Sequence, residues 1–290
     1  MADLRSDREG FISEDGHRIH YEYFGRGDRE AICLLNGLAM HTKAWYGFLP
    51  RLLPDLDVIL YDYPGQGTSS AADVPYYIPR IATYLTRIAD ALEIRRFHLM
   101  GISYGGFVGL DYARQFQERL YTLTLSGILL SREVLFEMYQ EISLRFYRGG
   151  PEIFELYKHY MYEKIFGESF VRACRGQLEP MRQKFHERYK DKMHCLIRLT
   201  EAQDPFFASL DELLTQYRHI RTPALIMAGA EDRAIPPWVQ RKLVAILPNA
   251  RFELVADSGH VVYLEKPDEF FGNLLKFTKA KSVDFQCDHP

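Results

Sequence analysis

Phe97-His98-Leu99-Met100-Gly101-Ile102-Ser103-Tyr104-Gly105-Gly106 reads as a short apolar strand, a tight turn and the opening of a helix. Gly101 to Gly105 spell GxSxG, a pattern built from common residues whose meaning comes from its place between strand and helix. A serine at such a sharp turn is held in a strained backbone conformation, and small residues two before and two after it let the turn close. The turn lifts the Ser103 hydroxyl above the sheet, and the free N–H of Tyr104 at the helix N-terminus faces any negative charge that develops there. The plainer alternative is a serine that caps a helix.

Working outward, Phe11 to Ser13 and Arg18 to Phe24 flank Glu14-Asp15-Gly16-His17, and Asp-Gly between alternating runs predicts a β-hairpin. Strand-like runs follow at Ala31 to Leu35, Val58 to Tyr61, Phe97 to Met100 and Leu120 to Leu125. Helical spacing is read at Ala44 to Leu53, Ile78 to Leu92 and Tyr104 to Phe116. This alternation predicts an α/β fold with a mostly parallel twisted sheet flanked by helices. Residues 131–221 break the rhythm with aromatic-rich helical patterns and read as an inserted cap between two core segments, 1–130 and 222–280. The second segment holds a strand at Ala224 to Ala228, a helix from Pro237 to Leu247, a strand at Arg251 to Val255 and a helix from Pro267 to Lys279. Residues 281–290 carry no periodicity and are expected to form a loose tail.

Composition bounds the function. The chain has 290 residues, 47% hydrophobic and 26% charged, which is globular rather than disordered. Its 36 basic and 39 acidic residues are scattered, so no basic stripe is available for nucleic acid. The charged start of the sequence lacks an apolar signal segment and no run is long enough to span a membrane, so a cytoplasmic location is the default. Cys33, Cys174, Cys195 and Cys287 show neither CxxC pairing nor metal-ligand spacing and read as reduced and structural.

A hydroxyl needs a base to become a nucleophile, and the base needs a partner that fixes its tautomer. Among ten histidines, His260 stands on the loop after the strand Arg251 to Val255. Asp232 has the same place one strand earlier, with Glu231 as runner-up and Asp257 third. Ligands and catalytic groups of open parallel sheets gather outside these carboxyl ends. The first parallel strand ends at Asn36-Gly37-Leu38, where the N–H of Leu38 can pair with that of Tyr104 as an oxyanion hole.

Asn36-Gly37, Asp62 to Ser69, Gly101 to Gly106, Gly229 to Asp232 and Gly259-His260 together resemble the α/β-hydrolase superfamily. The resemblance covers nearly the whole chain except the cap, and by it Ser103, Asp232 and His260 match the catalytic triad, and Leu38 and Tyr104 the oxyanion-hole positions. Two departures stand out: Asn36-Gly37 where most relatives have His-Gly, and Gly65-Gln66-Gly67 where many have Gly-His-Gly. The Asn-Gly pair is similar to that of relatives that handle hydroxyacyl groups. Asp62 reads as a carboxylate that pins its loop.

The expected function is hydrolysis of an ester or thioester of a small hydrophobic acyl substrate through an acyl-enzyme, with no cofactor and no metal. Acyl transfer to another acceptor and a non-enzymatic small-ligand receptor are the alternatives, and a homodimer is left open. Aromatic residues of the cap, Phe136, Tyr139, Tyr157 and Phe166 among them, are expected to pack it on the sheet and in part to line a passage above Ser103.

Overall fold

The computed structural model describes residues 4–287; the first three residues of the charged N-terminus and the last three of the expected tail lie outside that range. Eight strands form one sheet: β1 Arg8–Glu14, β2 His17–Phe24, β3 Ala31–Leu35, β4 Asp57–Tyr61, β5 Phe97–Ile102, β6 Leu120–Ser126, β7 Ala224–Gly229 and β8 Ala250–Val255. Their order is β1-β2-β4-β3-β5-β6-β7-β8. The β1–β2 and β2–β4 pairs are antiparallel and every other pair is parallel. At the predicted hairpin, Asp15 and Gly16 both have positive φ, 53° and 80°, as a two-residue turn matched to strand twist requires.

The parallel strands are buried on both faces because their side chains alternate between two cores. Cys33 and Leu35, Ile59 and Tyr61, and Phe97 and Leu99 enter one apolar cluster. Ile32 and Leu34, Val58 and Leu60, and Met100 and Ile102 enter the other. Each such aliphatic or aromatic side chain contributes about 1.5–3 kcal/mol on burial. Helices α2 Ile78–Ala91 and α3 Tyr104–Phe116 cover the first face, and α1 Leu49–Leu52 and α13 Pro267–Ala280 the second.

Between β6 and β7 run seven helices and, among the described residues, no strand: α4 Val134–Arg148, α5 Pro151–Ile165, α6 Glu168–Ala173, α7 Leu178–Tyr189, α8 Met193–Glu201, α9 Gln203–Ala208 and α10 Leu210–Tyr217. After β7 come α11 Pro237–Gln240 and α12 Val262–Glu265.

Three expectations are corrected. The helix expected over Ala44 to Leu53 is a 3-10 turn, Thr42–Trp45, followed by the short α1, because Pro50 has no N–H to donate to the Tyr46 carbonyl and is tolerated only in the first turn of a new helix. The helix expected from Pro237 to Leu247 is one α turn, α11, that tightens into a 3-10 segment at Arg241–Ala245 while keeping Val239, Leu243 and Leu247 buried. The expected loose tail is docked over 281–287: Arg251 donates to the Val283 carbonyl (3.3 Å) and that of Phe285, and Phe285 packs on Phe277 at 5.4 Å. Isolated anchors of this kind leave no periodic trace in sequence.

Candidate active site

Five adjacent parallel strands, β3, β5, β6, β7 and β8, end on one edge, and every predicted site residue lies just past one of those ends. Ser103 follows β5 with φ 50° and ψ −120°, the strained elbow expected of it. The close turn needs its glycines. A Cβ on Gly101 would fall 2.3 Å from the Gly105 carbonyl oxygen, and one on Gly105 would fall 2.6 Å from that of Leu35. The Ser103 amide donates to Ser126 O at the end of β6 (2.8 Å), which sets the elbow's height against the neighbouring strand.

His260 Nδ1 lies 2.8 Å from Asp232 Oδ2. Asp232 is buried, and its Oδ1 accepts from the amides of Ala234 (2.9 Å) and Ile235 (2.8 Å). The carboxylate therefore faces the imidazole with a fixed posture. Burial pushes the His260 pKa down, but the charge of Asp232 and its hydrogen bond more than offset this, and the pKa ends above the ordinary 6.5. Glu231 turns elsewhere, accepting from the Glu168 amide, and Asp257 is exposed beside Lys266 at 3.7 Å. Of the three carboxylates weighed from sequence, Asp232 is the one beside the histidine.

Ser103 and His260 line one cavity of about 250 Å³, together with Leu38 and Tyr104. Gly37 brings its turn against the elbow: a Cβ there would sit 3.6 Å from Ser103 Cβ. The cavity wall is largely aromatic and aliphatic, with Phe107, Phe136, Tyr157 and Phe166 among its residues. No Lys, Arg, Asp or Glu lines it among the described residues.

Three residues that sequence reasoning did not find support this arrangement, together with Gln66, which it marked as a departure. Gln240, fully buried on α11, donates to Asp232 Oδ2 (2.9 Å) and to the Ile235 carbonyl (2.7 Å), while its Oε1 accepts from the Gly127 amide (2.9 Å). Its only trace in sequence is a polar residue on the apolar face shared by Val239 and Leu243. Gly127 has φ 65°, and a Cβ there would fall 2.6 Å from His260 Cε1, so the imidazole rests on bare backbone. Glu265 accepts from the amides of Gly259 and Gly167, each at 3.0 Å. Gln66, with its amide oriented to satisfy both groups, donates to Met40 O (2.7 Å) and accepts from Ala39 N (2.9 Å).

The two departures from the superfamily pattern thus have local jobs in the same loop. Asn36 donates to Tyr61 O (2.9 Å) and accepts from Trp45 Nε1 (2.7 Å), and Gln66 ties the residues that follow. Neither side chain lines the cavity. Asp62 accepts from the amides of Thr42 (2.8 Å) and Thr68 (3.0 Å), which is loop pinning. Among the described residues, one group offers metal-ligand atoms close together, Glu9, His20 and Glu22, all within 4.8 Å of one another. It lies in the β1–β2 hairpin, where His20 Nδ1 faces Asp62 Oδ2 at 3.4 Å, and it takes no part in the cavity.

Residues 30–267 match the family model described as the alpha/beta hydrolase fold. The chain belongs to this family. Among curated relatives, this α/β-hydrolase is 26% identical to a poly(3-hydroxyalkanoate) depolymerase of Ectopseudomonas oleovorans, over 89% of this chain and 87% of that protein. It is 27% identical to a 2-hydroxy-6-oxo-6-phenylhexa-2,4-dienoate hydrolase of Comamonas testosteroni, over 91% and 92% respectively. Among solved structures, MGS-M2, an alpha/beta hydrolase enzyme from a Medee basin deep-sea metagenome library, superposes with a TM-score of 0.86. That match covers 96% of this chain and 100% of the other at 23% identity, a likeness of fold. The named relatives are hydrolases, and this chain is an α/β-hydrolase. No helix among the described residues is long and apolar enough to cross a membrane.

Proposed function

We propose that this α/β-hydrolase cleaves an ester or thioester of a hydrophobic acyl substrate, with Ser103 as nucleophile, His260 as general base and Asp232 as the group that orients the histidine. The observation that carries the reading is the His260–Asp232 hydrogen bond opening onto the same apolar cavity as a serine held at positive φ. With Nδ1 engaged by Asp232, the other imidazole nitrogen is left to take the Ser103 proton.

Ser103 Oγ attacks the carbonyl carbon as His260 accepts its proton, and the carbonyl electron pair moves onto oxygen. The amides of Leu38 and Tyr104 receive that oxyanion, and each such donor contributes about 2.7–4 kcal/mol to lowering the barrier. Collapse expels the alcohol or thiol, which takes the proton from His260, and leaves an acyl-enzyme. Water, deprotonated by His260, then attacks the acyl carbon; release of the acid returns the proton to Ser103.

The lining favours a neutral, apolar acyl group, since a buried carboxylate would find no Lys or Arg in it among the described residues. That fits the polyester substrate in the name of the depolymerase relative better than the dienoate in that of the other. At about 250 Å³ the space lies just below the roughly 300–1,000 Å³ of drug-sized pockets, which suits a compact chain.

The test is labelling with a fluorophosphonate, in which Ser103 Oγ bonds phosphorus and fluoride leaves, followed by peptide mass mapping. The label is expected on Ser103 and absent from Ser103→Ala, whose kcat on short acyl esters should fall roughly ten-thousand-fold or more while the fold persists. A label elsewhere, or a variant that keeps most of its rate, overturns the covalent route.

A further inference from the structure

The cavity above Ser103 is walled mainly by carbon, yet three side chains of its lining carry a buried polar atom with no partner in the protein: Tyr104 Oη, on a ring that packs against Tyr63 at 5.5 Å, and one atom each of Gln140 and Thr200. Gln140 on α4 is 7% exposed and Thr200 on α8 is 2% exposed, and both line the cavity. Gln140 Nε2 and Thr200 Oγ1 have no hydrogen-bond partner. A buried donor left unpaired costs about 1–3 kcal/mol. A cavity built for plain hydrocarbon would be better served by leucine and valine at these places.

Helices α4 and α8 pack side by side, so the Gln140 and Thr200 side chains enter the cavity from neighbouring helices. Gln203, also in the lining, turns its Nε2 toward the Thr200 carbonyl (3.4 Å) and so does not quench either orphan atom. Phe107, one helical turn past Ser103, packs on Phe136 with ring centroids 6.2 Å apart, and Phe136 lies one turn before Gln140 on α4. The helix that carries Gln140 is thus joined to the elbow helix through one aromatic contact, and Thr200 lines the same cavity. A chain attached at Ser103 has an apolar wall to follow toward them.

The chemistry of the pair narrows the ligand. A Gln amide nitrogen only donates, and a Thr hydroxyl donates or accepts, so together they call for an oxygen. The absence of Lys and Arg from the described lining rules against a carboxylate or phosphate. We infer that Gln140 and Thr200 form a specificity subsite that hydrogen-bonds a neutral hydroxyl or keto oxygen carried on the acyl chain. The acyl attachment rests on the Ser103 reading above; the oxygen-binding subsite does not.

The experiment compares hexanoyl esters that are unsubstituted or carry a hydroxyl or keto group at successive carbons, with kcat/KM as readout. For the native protein at least one oxygenated ester is expected to exceed the unsubstituted one about tenfold, the equivalent of about 1.4 kcal/mol. In Gln140→Leu and Thr200→Val that ratio should fall toward one, with Tm held or raised because an unpaired polar group is gone. No preference at any carbon, or a preference that survives in the double variant, overturns the subsite. To separate this from a failure of the Ser103 reading, calorimetry on Ser103→Ala compares neutral hexanamides with and without the oxygen. A tighter Kd for the oxygenated amide that is lost in Gln140→Leu supports the subsite even if no ester is turned over. Equal affinities overturn it even if Ser103 is labelled.

Discussion

In the proposed mechanism, Asp232 and His260 together set the pH at which the elbow can work. The imidazole must be neutral to accept the Ser103 proton, and its pKa lies above 6.5, so the rate should fall as pH drops through a limb centred above that value. The same shift means that His260 favours folding most below 6.5 and loses that contribution as pH rises through its folded pKa. Replacing Asp232 with Asn removes the charge that raises the pKa and leaves burial, so the surviving limb should move to lower pH. The kcat of Asp232→Asn should fall roughly ten-thousand-fold through loss of the correct tautomer. Gln240 is a positioning residue: Gln240→Met strips one bond from Asp232 and leaves the Gly127 amide unpaired. We expect its kcat to drop on the order of 10–100-fold with little change in KM, by analogy with orienting partners elsewhere. A pH–rate profile should show the limb displaced as well, which loss of packing alone would not do. The strand-end places of Ser103, Asp232 and His260 were legible because each stands at the elbow or in the loop that follows a strand-like run; Gln240 was not, because its partners come from two other loops.

The segment joining α5 to α6 is latched to the histidine loop. His260 N donates to Ile165 O (2.7 Å), Gly167 N and Gly259 N share the Glu265 carboxylate, and Arg233 donates to Phe166 O (2.7 Å). The fit is tight enough that a Cβ on Gly259 would fall 2.5 Å from the Gly167 amide. Burial raises the Glu265 pKa above 4.5; amides of Gly259, Gly167 and Val261 pull it down, and Glu231 adds to the rise. A carboxylate raised in this way stabilises the fold most below 4.5, and that contribution is lost as pH climbs through its folded pKa. Glu265→Gln cannot lose it. The Tm of Glu265→Gln relative to the native protein should therefore improve as pH rises above 4.5, as read by thermal melts at a series of pH values. A flat difference would assign the latch to geometry alone. None of this latch was visible in the sequence, since Ile165, Gly167, Glu231, Arg233 and Glu265 carry no spacing that links them.

Across the molecule, a two-faced sheet buries aliphatic side chains in alternation and brings five loops to one edge, while five of the seven inserted helices, α4, α5, α7, α8 and α9, roof the space above them. The roof leaves an uncharged cavity, so a hexanoyl ester should be cleaved at least about tenfold faster than the matched ester ending in a carboxylate, a gap of about 1.4 kcal/mol that a single unpaired buried charge readily exceeds. Comparable rates in a paired kcat/KM assay would show that the chain end stays in water. Sequence by itself determined the strand–helix alternation, the hairpin turn and the strand-end positions of Ser103, Asp232 and His260, because period, turn chemistry and chain order are local properties of neighbouring residues. Tertiary structure alone decided that Asp232 rather than Glu231 meets the imidazole, that Gln240 and Gly127 hold the pair, and that Gln140 and Thr200 face the cavity unpaired. Those are relations between side chains brought together from separate loops and helices, and no spacing along the chain encodes which of them meet.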